Sequence, residues 1–566
     1  MNDRPPGLTG HLTSYGDPGF SRFLRRALAK SSGLSNEALD RPTVGIVQTW
    51  SELNPCHGHF RQLAEAVKRG VWRAGGLPLE FPTISLGEVF LEPTAMLYRN
   101  LLAMDTEEMI RAQPLDAVVL LGSCDKTIPA QLMAVASADV PAILLPGGPM
   151  LDGQYEGRTL GACTDCRRYW TEYRAGRLSE QGLASIEDAL CRSAGHCMVM
   201  GTASTMASAA EALGMTLPGA AAIPAVDARR YRLAEATGVR AVALAEEELR
   251  PSRILTPSAF NNAIRAVCAL GGSTNAVIHL TAVAGRAGLR LTPAHFDDLS
   301  RSTPLLCNLK PSGSFQMEDL FDAGGVPAVL KELEPLLDAT SPTVTGRSLG
   351  EELAAVGRAE RRRDVIASLE RPLAAEGGLA ALFGNLAPGG AIIKQSAASP
   401  ALLRHRGRAI VFSSPADLAA RVDMPEEAIG PADVLVLQGA GPVGGPGMPE
   451  VGNLPIPAPL LRQGVRDMVR ISDGRMSGTA FGTIVLHVTP EAAVGGPLAA
   501  VQTGDEIELD VPARRLELRV EEREVGRRLA ALSPRERTHG RGYRRLYLEH
   551  VLQANRGCDF DFLLPE

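Results

Sequence analysis

The residues whose types and spacing carry the most chemistry are Cys124, Asp125 and Lys126, within Gly122-Ser123-Cys124-Asp125-Lys126-Thr127. A soft thiol, a hard carboxylate and an amine stand side by side. Thiolate suits iron or zinc and carboxylate suits magnesium or calcium, so this stretch could serve two different metal centres at once. The apolar run Ala117-Val118-Val119-Leu120-Leu121 precedes it and reads as a buried strand; Ile128, Leu132, Met133 and Val135 follow at helical spacing. The hexapeptide is therefore expected to be a strand-to-helix turn at the carboxyl end of a strand, where open α/β sheets bind ligands. Taken alone, it reads more simply as a buried cysteine beside a capping aspartate.

Other candidates lie at similar turns. Residues 43–51 read as a strand, Asn54-Pro55-Cys56-His57-Gly58-His59 as a turn, and Phe60, Leu63, Val67 and Val71 as one face of a helix. Residues 183–215 look helical and are interrupted at Gly195-His196-Cys197. A helix starting after that glycine would place Cys197 near its N-terminus, where the macrodipole favours a thiolate. Three thiolates, Cys56, Cys124 and Cys197, leave an iron–sulfur cluster one ligand short of four. An open iron position could act as a Lewis acid on a hydroxyl. Glu88, on a loop or strand end within 82–90, could join Asp125 and Glu450 in a hard oxygen site for Mg²⁺. Each of these residues separately has an ordinary structural reading, so the assembly is the hypothesis.

The elements that must position them follow a β-turn-α-β rhythm. A helix is expected over 94–112 and a short strand at 142–145, closed by Pro146-Gly147-Gly148-Pro149. That rhythm predicts an α/β fold with a doubly wound parallel sheet. Further helices are expected over 258–285 and 326–338, with Gly271-Gly272-Ser273-Thr274-Asn275 as a loop and cap signal. The character changes near 375. Short β-rich runs at 391–394, 409–412, 433–437, 468–471, 483–488, 506–511 and 516–520 predict a sandwich or barrel-like second domain. The expected division is 1–374, α/β, and 375–566, β-rich and flanked by helices.

Two motifs fall in this second part. Gly439-Ala440-Gly441-Pro442-Val443-Gly444 matches G-x-G-x-x-G after a strand, but Pro442, Pro446 and Pro449 oppose the helix that a dinucleotide site and a nicotinamide-dependent dehydrogenase require. The loop is read instead as backbone approaching a ligand, with Glu450 at its end. Ile471 to Thr479 is a polar turn after a strand. Its Ser477 is not in a G-x-S-x-G elbow, so hydrolase chemistry is poorly supported. As a base, Ser477 would need a nearby metal to promote loss of its proton; alone, it reads as a capping residue.

Composition narrows the classes. The chain has 566 residues, a net charge of −6 and 4% aromatics, so neither a basic surface nor stacking platforms point to nucleic acid. Arg361-Arg362-Arg363, between Glu360 and Asp364, is expected to be a solvated helix face. No apolar run approaches the ~20 residues that span a bilayer. Met1 to Pro6 lacks a signal-peptide pattern, and a soluble cytoplasmic protein is the default. Nine cysteines without a secretion signal argue against disulfides. Cys163-x-x-Cys166 has no second pair for zinc and is read as two ordinary cysteines.

Read together, these stretches resemble the dihydroxy-acid dehydratase and phosphogluconate dehydratase family over nearly the whole chain. The resemblance is carried by Asn54-Pro55-Cys56, Ser123-Cys124-Asp125-Lys126, Gly195-His196-Cys197-Met198, Gly201-Thr202-Ala203-Ser204-Thr205-Met206 and Gly271-Gly272-Ser273-Thr274-Asn275-Ala276. Later stretches are Gly384-Asn385-Leu386-Ala387-Pro388, Gly444-Gly445-Pro446-Gly447-Met448-Pro449-Glu450 and Ser472-Asp473-Gly474-Arg475-Met476-Ser477-Gly478. It implies a hydro-lyase that turns a 2,3-dihydroxy acid into a 2-keto-3-deoxy acid. It also implies a [2Fe–2S] cluster on Cys56, Cys124 and Cys197, and Mg²⁺ on Glu88, Asp125, Glu450 and Lys126, the lysine as a carbamate. Ser477 would be the base that removes the C2 proton, and Thr479 would contact substrate. A homodimer or homotetramer is implied, with a small-molecule partner and neither nucleic acid nor membrane.

Gly195-His196-Cys197-Met198 and the ending Arg541-Gly542-Tyr543…Gly557-Cys558-Asp559-Phe560-Asp561-Phe562 resemble the sugar-acid branch, which acts on arabinonate, xylonate or gluconate. The alternatives are the branched-chain amino acid branch, acting on 2,3-dihydroxyisovalerate, and a non-enzymatic sugar-acid-binding or iron-sensing protein on the same scaffold. Two departures stand out: His57 where asparagine is usual, and Cys163-x-x-Cys166 where other residues are expected.

Overall fold

The computed structural model describes residues 7–8, 16–357, 362–425, 428–532 and 540–565. In the first part, β1 (Thr43–Gln48), β2 (Leu77–Pro82), β3 (Ala117–Gly122) and β4 (Ala142–Pro146) form an all-parallel sheet in the order β2-β1-β3-β4. β1, β3 and β4 are buried along their whole length, which accounts for their unbroken apolar character. β2 was not foreseen, because Pro78 and Pro82 break its strand pattern; it lies at the sheet edge, where proline leaves no ladder hydrogen bond unmade.

The chain leaves β1 toward β2 on one side, then crosses back past β1 to β3 on the other. Right-handed crossovers in opposite directions place their helices, Phe60–Arg73 and Arg99–Ala112, on opposite faces. The sheet is therefore doubly wound, as expected. Phe60, Leu63, Val67 and Val71 are fully buried on the first of these helices. That helix packs along Ala228–Glu247 so closely that a Cβ on Gly70 would sit 1.9 Å from the Glu235 carbonyl oxygen. The reversal of direction opens a crevice between the carboxyl ends of β1 and β3. Cys56 follows β1 and Cys124 follows β3.

A short hairpin, β5 (Gly153–Tyr155) and β6 (Arg158–Leu160), leads to the helix Thr164–Arg174. The second part is a closed barrel of β7 (Ala380–Gly384), β8 (Ala387–Ile393), β9 (Arg404–Phe412), β10 (Val434–Leu437), β11 (Arg470–Ser472), β12 (Ile484–Leu486), β13 (Glu506–Asp510) and β14 (Arg515–Leu518), in the order β10-β11-β12-β8-β7-β14-β13-β9. Closure removes the exposed edges that eight short strands would otherwise present. Leu382, Ile393, Val436, Ile471, Val485 and Leu509 share its core.

Several expectations need correction. The region 94–112 begins as a tight turn, Ala95–Tyr98, before the helix Arg99–Ala112. Cys197 is not at a helix N-terminus, since the next helix opens at Thr202. Gly195 instead bends at φ +123° and His196 bridges to Pro149, with the His196 amide donating to the Gly148 carbonyl and the Met150 amide to the His196 carbonyl. Arg362 and Arg363 are in no helix; they pair with Asp319, Asp364 and Glu332. Glu360, Arg361 and Met1 to Pro6 lie outside the described residues. The glycine loop at 439–444 spends its amides internally: Gly439 and Ala440 donate to Asp473, and Val443 and Gly444 to Glu491. Among the described residues, no helix is long and apolar enough to cross a membrane.

Candidate active site

The first turn of the helix Cys124–Ala138 supplies adjacent side chains to two distinct groups. Cys124 has φ +63°, an unfavourable value for a residue with a Cβ, held by the buried strand before it and the packed helix after it. Its thiol meets that of Cys56. That contact, followed by burial, pushes the Cys56 thiol well above its ordinary pKa.

His57 ties the two turns together. Its Nδ1 lies 2.8 Å from the Thr49 carbonyl and its Nε2 3.0 Å from the Ser123 carbonyl, and its ring stacks on Phe60. Burial lowers its pKa to about 4, so it is neutral at pH 7 and donates to one of these carbonyls. The Thr49 hydroxyl adds a bond to the Leu121 carbonyl, 3.0 Å away.

Cys197 reaches the same place from the segment beyond β4, and the charges of Cys56, Asp125 and Cys124 all act on its thiol. Among the described residues, the three sulfurs do not fall within 4.8 Å of one another, as ligands crowded around a single ion would. A contact pair with a third sulfur further off suits a two-iron core better than a lone metal.

The oxygen group is built on the next two residues of the same turn, Asp125 and Lys126. Carboxylate oxygens of Glu88, Asp125 and Glu450 lie within 4.8 Å of one another, a spacing at which a metal ion can be held. Lys126 is fully buried between them, its Nζ 2.8 Å from Glu88, 3.2 Å from Asp125 and 3.6 Å from Glu450. Arg475, also fully buried, joins from the barrel, bonding Glu88 at 3.1 Å, Thr94 at 2.6 Å and Glu450. Burial acts to raise the Glu88 pKa, but Lys126 and Arg475 outweigh it and hold the carboxyl at about 2. For Glu450 burial prevails and the pKa is raised. Lys126 is held above its ordinary value: burial and Arg475 oppose its charge, and Asp125, Glu88 and Glu450 more than offset them.

Ser477 and Thr479 lie on the loop that follows Arg475. The Ser477 Oγ is 2.8 Å from the Thr479 hydroxyl and accepts a long bond from the Thr479 amide, 3.4 Å away. The loop is pinned to the first part of the chain. Asn275 Nδ2 donates to the Met476 carbonyl at 3.0 Å, and the Thr164 hydroxyl donates to the Thr479 carbonyl at 2.9 Å. Gly478 permits the approach, since a Cβ there would lie 2.6 Å from the Ser273 side chain.

Sequence reasoning passed over three contributors. Arg475 lay inside a quoted motif, and an arginine set among Gly and Ser in a turn was its signal. Asn275 reads in the sequence only as part of a loop and cap signal. Cys163 reads as an ordinary cysteine in the sequence, yet its Sγ lies 3.2 Å from the Cys197 Sγ. Beside the site, a cavity of about 670 Å³ opens between the helix Thr164–Arg174 and the barrel, lined in part by Arg167, Arg168, Arg174, Arg466, Arg470 and Phe481. None of the thiols or metal-candidate carboxylates lines it.

Comparison with known proteins agrees with this geometry. Residues 41–352 match the dihydroxy-acid/6-phosphogluconate dehydratase N-terminal model, and residues 364–558 match the C-terminal one. The chain is 52% identical to an L-arabonate dehydratase of Azospirillum brasilense, covering 96% of this chain and 94% of the relative. It is 49% identical to a 6-deoxy-6-sulfo-D-gluconate dehydratase of Pseudomonas putida, covering 96% and 94%. It is 43% identical to a dihydroxy-acid dehydratase of Moorella thermoacetica, covering 95% and 98%. With both halves matched and relatives this similar end to end, the chain belongs to the dihydroxy-acid/6-phosphogluconate dehydratase family.

Proposed function

We propose that this chain dehydrates a 2,3-dihydroxy acid of the aldonate class to the 2-keto-3-deoxy acid. Cys56, Cys124 and Cys197 would hold a [2Fe–2S] cluster. Glu88, Asp125, Glu450 and a carbamylated Lys126 would hold Mg²⁺. The observation that carries this reading is one helix turn serving both groups, Cys124 toward the thiols and Lys126 into the carboxylates. When bound, the cluster supplies a Lewis acid for the departing hydroxyl, and Mg²⁺ supplies charge that holds the carboxylate and acidifies the C2 hydrogen.

The donor set suits both groups. Soft sulfurs stand apart from hard oxygens, so each metal meets its preferred ligands. Charge balance favours the carbamate. The three carboxylates face two cations, Lys126 and Arg475. Turning the ammonium into a carbamate removes two positive charges, and a divalent ion restores them.

Ser477 takes the C2 proton in this scheme. The Thr479 amide and hydroxyl are both placed to donate to its oxygen, which favours the deprotonated form. The pinning of this loop by Asn275 and Thr164 fixes that oxygen against the first part of the chain. The two parts, divided near residue 374, would thus form one site across their contact. The higher identity to sugar-acid dehydratases than to the Moorella dihydroxy-acid dehydratase supports the aldonate class.

The test is anaerobic purification followed by incubation with L-arabinonate, D-xylonate, D-gluconate, glycerate and 2,3-dihydroxyisovalerate, reading 2-keto acid formation. Turnover of one or more aldonates, faster than dihydroxyisovalerate, is expected. Preference for dihydroxyisovalerate would move the chain to the branched-chain branch. Absence of keto acid from every substrate, with iron and Mg²⁺ loaded, would overturn the reading.

A further inference from the structure

Five of the nine cysteines gather around one place, and only three have a part in the proposed chemistry. The other two are Cys163 and Cys166, whose thiols meet each other. The Cys163 Sγ is also 3.2 Å from that of Cys197, and the charge of Cys163 acts on Cys56. Four sulfurs thus fall into two contacting pairs, Cys56 with Cys124 and Cys163 with Cys197. Two thiolates on one tetrahedral metal, with bonds of about 2.3 Å, stand about 3.7 Å apart. The 3.2 Å pair is therefore close to the spacing of two ligands sharing one iron. Two such pairs are the full ligand set of a [2Fe–2S] core.

The turn carrying Cys163 is built rather than incidental. Cys163 has φ +68°, a conformation suited to glycine and held only where the surroundings enforce it. Three bonds enforce it here. The Gly161 amide donates to Asp165 at 2.7 Å, the Ala162 amide to the Met198 sulfur at 2.8 Å, and the Thr164 hydroxyl to the Thr479 carbonyl at 2.9 Å. Met198 adjoins Cys197, and Thr479 is on the Ser477 loop. The Cys163 sulfur is thereby fixed to both the thiol group and the loop proposed to meet substrate.

We propose that Cys163 is a fourth, exchangeable sulfur ligand that closes the cluster while the site is empty and gives way to the substrate hydroxyl. This rests on the cluster reading given under the proposed function. The ligand would shield the reactive iron from water and oxygen between turnovers. Its link through Thr164 to Thr479 lets substrate arriving on that loop be felt at the sulfur.

The test uses protein reconstituted anaerobically with ⁵⁷Fe and compares wild type with Cys163→Gly, a change the positive φ accommodates, and with Cys166→Ala. Mössbauer spectra without substrate are expected to show two equivalent all-sulfur irons in wild type and in Cys166→Ala. Cys163→Gly is expected to show one iron set apart by non-sulfur coordination. Adding D-gluconate or L-arabinonate, whichever the enzyme turns over, should convert the wild type to that two-site pattern and leave Cys163→Gly unchanged. Air should bleach the visible absorption of Cys163→Gly several-fold faster. A wild type whose irons are already inequivalent without substrate, matching Cys163→Gly, would overturn the fourth ligand alone. A Cys163–Cys197 disulfide in iron-loaded protein would overturn this ligand and the place of Cys197 in the cluster with it. A wild type that takes up no iron would overturn the cluster and this ligand with it.

Discussion

The sulfur side and the oxygen side of this site are assembled differently. Every thiol comes from the first part of the chain: Cys56 and Cys124 from the crevice of the parallel sheet, Cys163 and Cys197 from segments beyond β4. The carboxylate group draws Glu88, Asp125 and Lys126 from that part and Glu450 and Arg475 from the barrel. The sulfur side can therefore form on its own scaffold, whereas the oxygen side needs both parts in contact. Their supports differ too. The turns that carry Cys56 and Cys124 are held by packing and by backbone bonds to His57. The carboxylates are buried and depend on two cations, and losing one cation would leave buried charge unpaired.

Breaking the shared turn gives the largest effect. Cys124→Ser is expected to lose the visible absorption of the iron–sulfur centre and all turnover. Its Mg²⁺ binding, read by calorimetry, should remain, because Glu88, Asp125, Lys126 and Glu450 are untouched. Loss of Mg²⁺ binding as well would show that the two sides are not separable. Ser477→Ala should keep both the absorption and Mg²⁺ but lower kcat by about a hundred- to ten-thousand-fold, the usual worth of a general base. A kcat near that of the wild type would remove Ser477 from the chemistry.

Arg475→Met sharpens the comparison from the oxygen side. It leaves Glu88 and Glu450 buried beside Lys126 alone, and should cost about 3–5 kcal/mol in urea unfolding of the metal-free protein. The sulfur contacts should survive, so iron reconstitution at low temperature should still yield the absorption.

The smallest effect is the pH dependence of the metal-free protein. Glu88 has a folded pKa of about 2 against an ordinary 4.5. A lowered carboxyl pKa means that the ionised group stabilises the fold, fully above about pH 4.5 and progressively less as pH falls toward 2. Glu88→Gln should flatten the loss of thermal stability across that window while leaving iron uptake intact. An unchanged slope would show that Lys126 and Arg475 do not hold this carboxylate as the geometry implies.

What the sequence reveals follows from how local each signal is. The strand-to-helix turn at Cys124 and the turn at Cys56 were legible because an apolar run and a helical spacing lie within a few residues of each. The barrel was legible from closely spaced β-rich runs. Strand Leu77–Pro82 was hidden by its own prolines, which only an edge position accommodates. Cys197 was placed wrongly because Gly195 reads as a helix break, whereas its strand-like partner, Gly148 to Met150, lies far back in the chain. Arg475 owes its role to Glu88, 387 residues away, and Cys163 to Cys197, 34 residues away. No local pattern encodes such pairings; the fold supplies them.

The most direct test is a crystal of the anaerobically loaded protein, with anomalous scattering recorded at the iron edge. The expected result is a two-iron peak bounded by Cys56, Cys124 and Cys197, with no iron among Glu88, Asp125 and Glu450. Iron absent from the thiols, or seated in the carboxylate group instead, would contradict the division of one helix turn between a sulfur centre and an oxygen centre.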